Sequence, residues 1–213
     1  MMTSVLIIDD HPIVLQGCRR VLEDAGMRPV LTASDLVSGY RLYRRHAPDV
    51  AVIDLAIHGK GLGGIDLIRR IRAHKPRAHV LVLSMHNDAM IVSRCLEAGA
   101  TGYVLKDTSS EQLVKAVQQV ATGAPYLDGE LAMKVALIGS GRARGNPLAD
   151  LTPRELQVLA LLADGKPYDR IAGELNVSYK TVVNVSSQLK QKLQAGNLPE
   201  LVSTAVKLLA TPA

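Results

Sequence analysis

Val50-Ala51-Val52-Ile53-Asp54 is a run of four β-favouring apolar residues closed by an acid, and Val5-Leu6-Ile7-Ile8-Asp9-Asp10 repeats the pattern with two acids. Three more short apolar runs follow, at residues 30–33, 80–83 and 102–105. A half-exposed strand alternates apolar and polar residues, whereas one buried on both faces reads as a continuous apolar run. These runs are of the second kind. Between them, residues 13–25, 36–46, 65–74, 89–98 and 111–122 show helical periodicity with polar, Gly or Pro punctuation at their ends. Strict alternation of strand and helix predicts a doubly wound, five-stranded parallel sheet covered by helices and joined by right-handed crossovers.

Downstream the texture changes. Residues 126–138 read as one more helix, and Gly139-Ser140-Gly141-Arg142-Ala143-Arg144-Gly145-Asn146-Pro147 is unfit for a core and reads as a linker. Thr152-Pro153-Arg154-Glu155 then opens a helix with Thr as N-cap, Pro at the first position and Glu at the third. Only helices are predicted beyond it, at residues 153–163, 168–175, 179–194 and 198–209. The organisation is therefore an α/β domain at residues 1–124, a helix and linker at 125–149, and a small all-α domain at 150–213.

A hydrophobic content of 47%, with 6 Tyr and neither Trp nor Phe, implies aliphatic cores. The N-terminus lacks a basic leader, and no apolar stretch reaches the ~18 residues needed to span a bilayer, so a cytoplasmic protein without membrane contact is expected. Cys18 and Cys95 sit in helical patterns without metal-ligand spacing and are expected to be reduced and structural. The net charge is +5, of which residues 139–213 carry +3 (nine Lys and Arg against six Asp and Glu). A basic C-terminal third permits nucleic-acid binding.

In a doubly wound sheet, ligands bind beyond the carboxyl ends of the strands. Asp9 and Asp10 follow strand one, Asp54 strand three, Ser84 ends strand four and Lys106 follows strand five. Three carboxylates in one crevice repel each other unless a cation neutralises them, and an oxygen-only donor set favours Mg²⁺. With the ion on Asp9, Asp10, Asp54 and the backbone carbonyl of Ala56, a free Asp54 oxygen is placed to attack a phosphoryl group and form an aspartyl phosphate. Lys106 and Ser84 would stabilise the phosphoryl oxygens. His11 has no second His at ligand spacing, so a packing or loop-fixing role is expected rather than metal binding.

The pattern Asp9-Asp10-His11, Asp54, Ser84-Met85, Tyr103 and Lys106 resembles the receiver domain of bacterial two-component response regulators, which implies a flavodoxin-like fold. The resemblance implies that Asp54 takes its phosphoryl group from a sensor histidine kinase, and that Ser84 and Tyr103 move together as the switch. After Asp54 this chain departs from the usual receiver, with His58 in place of a proline and a loop about two residues longer. Asp107, where many receivers have Pro, is shared by the NarL/FixJ branch.

In the second domain, a helix, the short turn Asn176-Val177-Ser178 and a further helix have the layout of DNA readers. Projected at about 100° per residue, the second helix places Val182, Val185, Leu189 and Leu193 on a core face. Lys180, Val183, Asn184, Ser187 and Gln191 lie opposite, with Thr181 and Gln188 beside them. This acid-free face suits a major groove, Asn184 reading a base edge, Val183 meeting a thymine methyl and Lys180 meeting phosphate. Leu151-Thr152-Pro153-Arg154-Glu155, Ile171-Ala172, Ser178, Lys180-Thr181-Val182, Asn184 and Lys192-Leu193 resemble the LuxR-type helix-turn-helix domain. Many relatives carry Lys where this chain has Val183, His where it has Val185, and a hydrophobic residue where it has Ser186.

Together these features predict a response regulator of the NarL/FixJ type that binds double-stranded DNA, with dimerisation expected because one small module has limited affinity. An enzyme working through an aspartyl phosphate would need a cap domain, a second acid-base pair or a nucleotide loop, and none is found. A phosphorylation-controlled interaction module with a degenerate DNA-binding domain is the other reading.

Overall fold

The computed structural model describes residues 2–57, 61–139, 147–148 and 150–209. Most of the predicted linker, and His58, Gly59 and Lys60 of the extended loop, lie outside the described residues. Strands β1 (Val5–Ile8), β2 (Val30–Ala33), β3 (Val50–Ile53), β4 (His79–Ser84) and β5 (Gly102–Leu105) form one parallel sheet in the order β2-β1-β3-β4-β5. The intervening helices are α1 (Pro12–Asp24), α2 (Leu36–His46), α3 (Gly63–His74), α4 (Ala89–Glu97) and α5 (Ser110–Ala121).

Alternation along each strand sorts the apolar runs into two cores. Leu6, Ile8, Ala51, Ile53, Val80 and Val82 pack with the α2, α3 and α4 side, including Tyr43, Ile68, Ile71 and Ile91. Val5, Ile7, Val50, Val52, Leu81 and Leu83 pack on the other face with Leu22 of α1 and Leu113, Ala116, Val117 and Val120 of α5. Both faces are covered, which is why the strands carry no polar alternation.

One boundary differs from the sequence expectation by more than two residues. Helix α6 (Gly129–Gly139) starts later than residue 126 and packs on α4. Tyr126 instead bridges to β5, its carbonyl accepting the Tyr103 amide at 2.9 Å. A parallel edge strand leaves backbone groups open, and this short extension closes part of that edge.

The second domain comprises α7 (Pro153–Ala163), α8 (Tyr168–Glu174), α9 (Tyr179–Lys192) and α10 (Leu198–Leu209). At the start of α7 the capping box is complete, Thr152 Oγ1 accepting the Glu155 amide and Glu155 Oε2 accepting the Thr152 amide at 2.7 Å. The buried Glu155 also binds Lys192 of α9 at 2.8 Å. Burial opposes its charge, yet Lys192 and Thr152 outweigh this and hold Glu155 below the ordinary glutamate pKa. Its contribution is therefore present above the unfolded value and lost as pH falls through the folded one. Glu155→Ala is expected to cost about 2 kcal/mol, read by denaturant melts at neutral pH, with the deficit shrinking below about pH 4.

The domains are docked. Gln157 Nε2 of α7 donates to Asp66 Oδ2 of α3 at 2.6 Å, and Arg94 of α4 donates to the Leu151 carbonyl at 3.1 Å. Gly61, at φ 57°, sits under α7 so closely that a Cβ there would lie 2.9 Å from the Gln157 carbonyl. Gly61, just before α3, thus lies directly against the second domain.

Candidate phosphoacceptor site and DNA-reading helix

Backbone pairing continues one residue beyond the strands and aims the site. The Asp9 amide donates to the Ala33 carbonyl at 3.1 Å, the Asp54 amide to Ile8 at 2.9 Å and the Lys106 amide to Ser84 at 2.9 Å. Parallel register therefore sets Asp9, Asp54 and Lys106 side by side at the carboxyl edge of the sheet. Lys106 Nζ lies 2.7 Å from Asp9 Oδ2 and 2.9 Å from Asp54 Oδ2. Asp9 and Asp54 are almost wholly buried, and Ser84 is buried beside them at the end of β4.

Oxygens of Asp9, Asp10 and Asp54 and a ring nitrogen of His11 all lie within 4.8 Å of one another. His11 Nδ1 stands 3.0 Å from both Asp9 Oδ1 and Asp10 Oδ1, and its amide donates to Asp9 at 2.8 Å. His11 thereby fixes the loop that carries the acids. Lys106 brings one formal positive charge to three carboxylates, and hard oxygen donors in such a cluster suit a hard divalent cation.

Lys106 and Asp54 are both shifted upward, with opposite meanings. For Lys106, burial works against the charge but Asp9 and Asp54 outweigh it, so the ammonium is held protonated. For Asp54, burial dominates over the attraction of Lys106 and the Ala56 amide, so the carboxylate is less at ease than in water. A metal ion or an esterifying phosphoryl group would relieve that condition. Gly64 belongs to the same construction: a Cβ there would fall 2.4 Å from the Asp54 carbonyl and 2.8 Å from Leu55 Cα. No side chain fits at the start of α3.

Tyr103, fully buried on β5, donates its hydroxyl to the His86 carbonyl at 2.7 Å, and the His86 amide donates to Ser84 Oγ at 3.3 Å. The two expected switch residues thus meet through the β4–α4 loop.

On α9, Lys180, Asn184, Ser187, Gln188 and Gln191 are exposed, and Thr181 and Val183 are half-buried at the margins. Docking leaves this face open. Ser178 caps the helix by accepting the Thr181 amide at 3.1 Å. Ser186 faces the core with Val182 and Leu189 and hydrogen-bonds the Tyr168 hydroxyl of α8. The serine that replaces the usual hydrophobic residue is therefore satisfied by a tyrosine 18 positions away. On a helical wheel Ser186 lies about 40° from Val182 and about 20° from Leu193, which was the available signal for its burial.

An acidic crevice at a sheet edge, with a docked helix-turn-helix whose α9 face stays open, is the arrangement of a phosphorylation-responsive transcription regulator. Comparison with known proteins agrees on both halves. Residues 5–118 match the response regulator receiver domain, and residues 149–205 match the bacterial regulatory proteins of the luxR family. The methanol utilization control regulatory protein MoxX of Paracoccus denitrificans is 37% identical over 96% of this chain and 91% of its own. The response regulator UvrY of Escherichia coli is 30% identical over 97% of this chain and 94% of its own. The structure of RcsB from Salmonella enterica serovar Typhimurium, bound to promoter rprA with phosphomimetic BeF3-, superposes with a TM-score of 0.75 at 30% identity, covering 97% of this chain and 99% of that one. This chain belongs to the response regulators that join a receiver to a LuxR-type DNA-binding domain. None of its described helices is long and apolar enough to cross a membrane.

Proposed function

We propose that Asp54 accepts a phosphoryl group from a sensor histidine kinase and that the modified protein regulates transcription as a DNA-bound dimer in the cytoplasm, without catalysing turnover of a substrate of its own. The single observation that carries the reading is the Lys106 ammonium within ion-pair distance of both Asp9 and Asp54 at the end of a parallel sheet. Asp9, Asp10, Asp54 and the Ala56 carbonyl would hold Mg²⁺, which when bound supplies positive charge to the developing phosphoryl oxygens. Asp54 attacks the phosphorus with a carboxylate oxygen as the P–N bond to the kinase's phosphohistidine breaks and the imidazole leaves, while Lys106 binds one phosphoryl oxygen and Ser84 donates its hydroxyl to another. Tyr103, already buried beside Ser84, is coupled to its position. The phosphoryl group remains on Asp54 after transfer, so the site stores a signal.

The DNA half rests on the open α9 face. Lys180→Ala is expected to weaken binding to all sequences alike and to reduce the salt slope by about one phosphate contact, measured by fluorescence anisotropy across a salt series. Asn184, by contrast, serves the base edge. The reading is tested by treating the protein with a small phosphodonor and Mg²⁺, then following the mass of the Asp54 peptide, dimer formation and the shift of promoter fragments. Phosphate-independent dimerisation and binding contradict the switch. Failure to bind DNA in either state points instead to a protein-interaction module.

A further inference from the structure

We propose that the basic face made by α2 and α3 of the receiver is a second contact surface for the DNA backbone, holding phosphates that flank the site read by α9. The proposal rests on the DNA-binding reading above and adds a surface to it. Residues 36–79 hold nine Lys and Arg against three Asp, a larger excess than residues 150–213 carry with seven against six. The three acids are engaged: Asp54 with Lys106 in the phosphoacceptor site, Asp49 with the Ser4 amide and hydroxyl at 2.8 and 2.7 Å, and Asp66 with Arg69 and Gln157. Arg41, Arg44, Arg45 and Arg70 are exposed, and none of them has a carboxylate partner among the described residues.

The four guanidinium groups form one surface, and it leads to α9. Arg41, Arg44 and Arg45 share a side of α2 through their i, i+3 and i+4 spacing. Arg70 of α3 stacks over the Tyr40 ring at 4.0 Å from its centroid, and Arg44 meets the hydroxyl of the same tyrosine, so one ring ties the two helices' cations together. One turn before Arg70, Asp66 accepts Gln157 Nε2 at 2.6 Å. Gln157 Oε1 in turn accepts Arg154 at 3.0 Å, and Arg154 also donates to the Leu175 carbonyl at 3.0 Å. Leu175 stands immediately before the Asn176–Ser178 turn and α9. Each step is one helix turn or one side-chain contact, so the basic face begins within about 35 Å of the reading helix, the length of one turn of B-DNA. A row of fixed guanidinium groups matches the repeating phosphates of a duplex, each able to make two parallel hydrogen bonds. A duplex seated on α9 extends far enough to meet them.

The experiment is fluorescence anisotropy of a labelled random-sequence duplex of about 40 base pairs, titrated with the full chain across a salt series, before and after treatment with a small phosphodonor. Four proteins are compared: wild type, Lys180→Ala, a variant with Arg41, Arg44, Arg45 and Arg70 all changed to Gln, and a control with Arg19, Arg20, Lys115 and Lys134 all changed to Gln. The control loses the same charge from exposed positions on α1, α5 and α6. In the state that binds, the α2–α3 variant is expected to lose about two to three from the slope of log affinity on log salt, and to bind about tenfold or more weakly at about 0.1 M salt. The control is expected to keep the wild-type slope. Arg41→Gln and Arg45→Gln alone, which leave the Tyr40 contacts in place, are each expected to lower the slope by about one, and they carry the test should the combined variant unfold. An α2–α3 variant and single changes no different from the control overturn the proposal, the face then suiting an acidic protein surface instead, and leave the role of α9, read from Lys180→Ala, intact. A wild type that binds the duplex in neither state overturns the underlying reading as well.

Discussion

Asp54→Asn is expected to abolish phosphoryl transfer from a small-molecule donor and, in the same protein, to raise thermal stability. The first effect follows from chemistry, since an amide oxygen is a poor nucleophile and the side chain is otherwise the same size. The second follows from the environment of the carboxylate. Asp54 is 3% exposed, and burial pushes its pKa above the ordinary aspartate value despite Lys106. An acid whose folded pKa exceeds its unfolded one costs stability wherever the unfolded chain has ionised and the folded chain resists doing so. That cost is absent well below pH 4 and complete once pH passes the folded value. Asn removes the charge, while Lys106 keeps Asp9 at 2.7 Å. Melting curves in the presence of a chelator should therefore separate the two proteins at neutral pH and bring them together in acid. A variant less stable than wild type at every pH would refute this account of the pocket.

Removing the other partner acts in the opposite sense. Lys106→Ala leaves Asp9 and Asp54, 1% and 3% exposed, facing each other without the ammonium between them. Breaking a buried pair in this way costs about 3–5 kcal/mol, larger than replacing both partners, because a desolvated charge is left behind. The loss is expected to be greatest at neutral pH and to diminish as the carboxylates take up protons. Millimolar Mg²⁺ should stabilise the variant more than wild type, since the ion meets two uncompensated acids. Phosphoryl transfer should fall about 10²- to 10³-fold, the effect of deleting one charge-stabilising donor. Lys106→Arg is not expected to rescue it, because a planar guanidinium cannot occupy the place of a compact ammonium between two carboxylates. Equal stability of Lys106→Ala and wild type in chelator would mean that the ion pairs contribute nothing to the fold.

The local elements and the order of the site were legible in the sequence. Four-residue strands buried on both faces appear as unbroken apolar runs, and capping residues such as Thr152 and Ser178 act within one helical turn. Both signals are short-range. Because parallel strands in register end together, an acid or lysine one residue past each run, Asp9, Asp54 and Lys106, was placed at the sheet edge before any distance was known. Other features depend on residues distant in the chain. Tyr126 leaves its expected helix because the open edge of β5 offers hydrogen bonds that helix α6 does not. Ser186 is polar by composition, and only Tyr168 makes its burial tolerable. The docking of the two domains rests on pairs such as Gln157 with Asp66, 91 positions apart, and on a glycine that fits beneath α7. The sequence by itself determined which groups reach the phosphoacceptor edge, since secondary structure and parallel register set that from local patterns. Tertiary structure alone decided how α7 and the residues before it dock on α3 and α4, since complementarity between distant surfaces leaves no periodic trace in the chain.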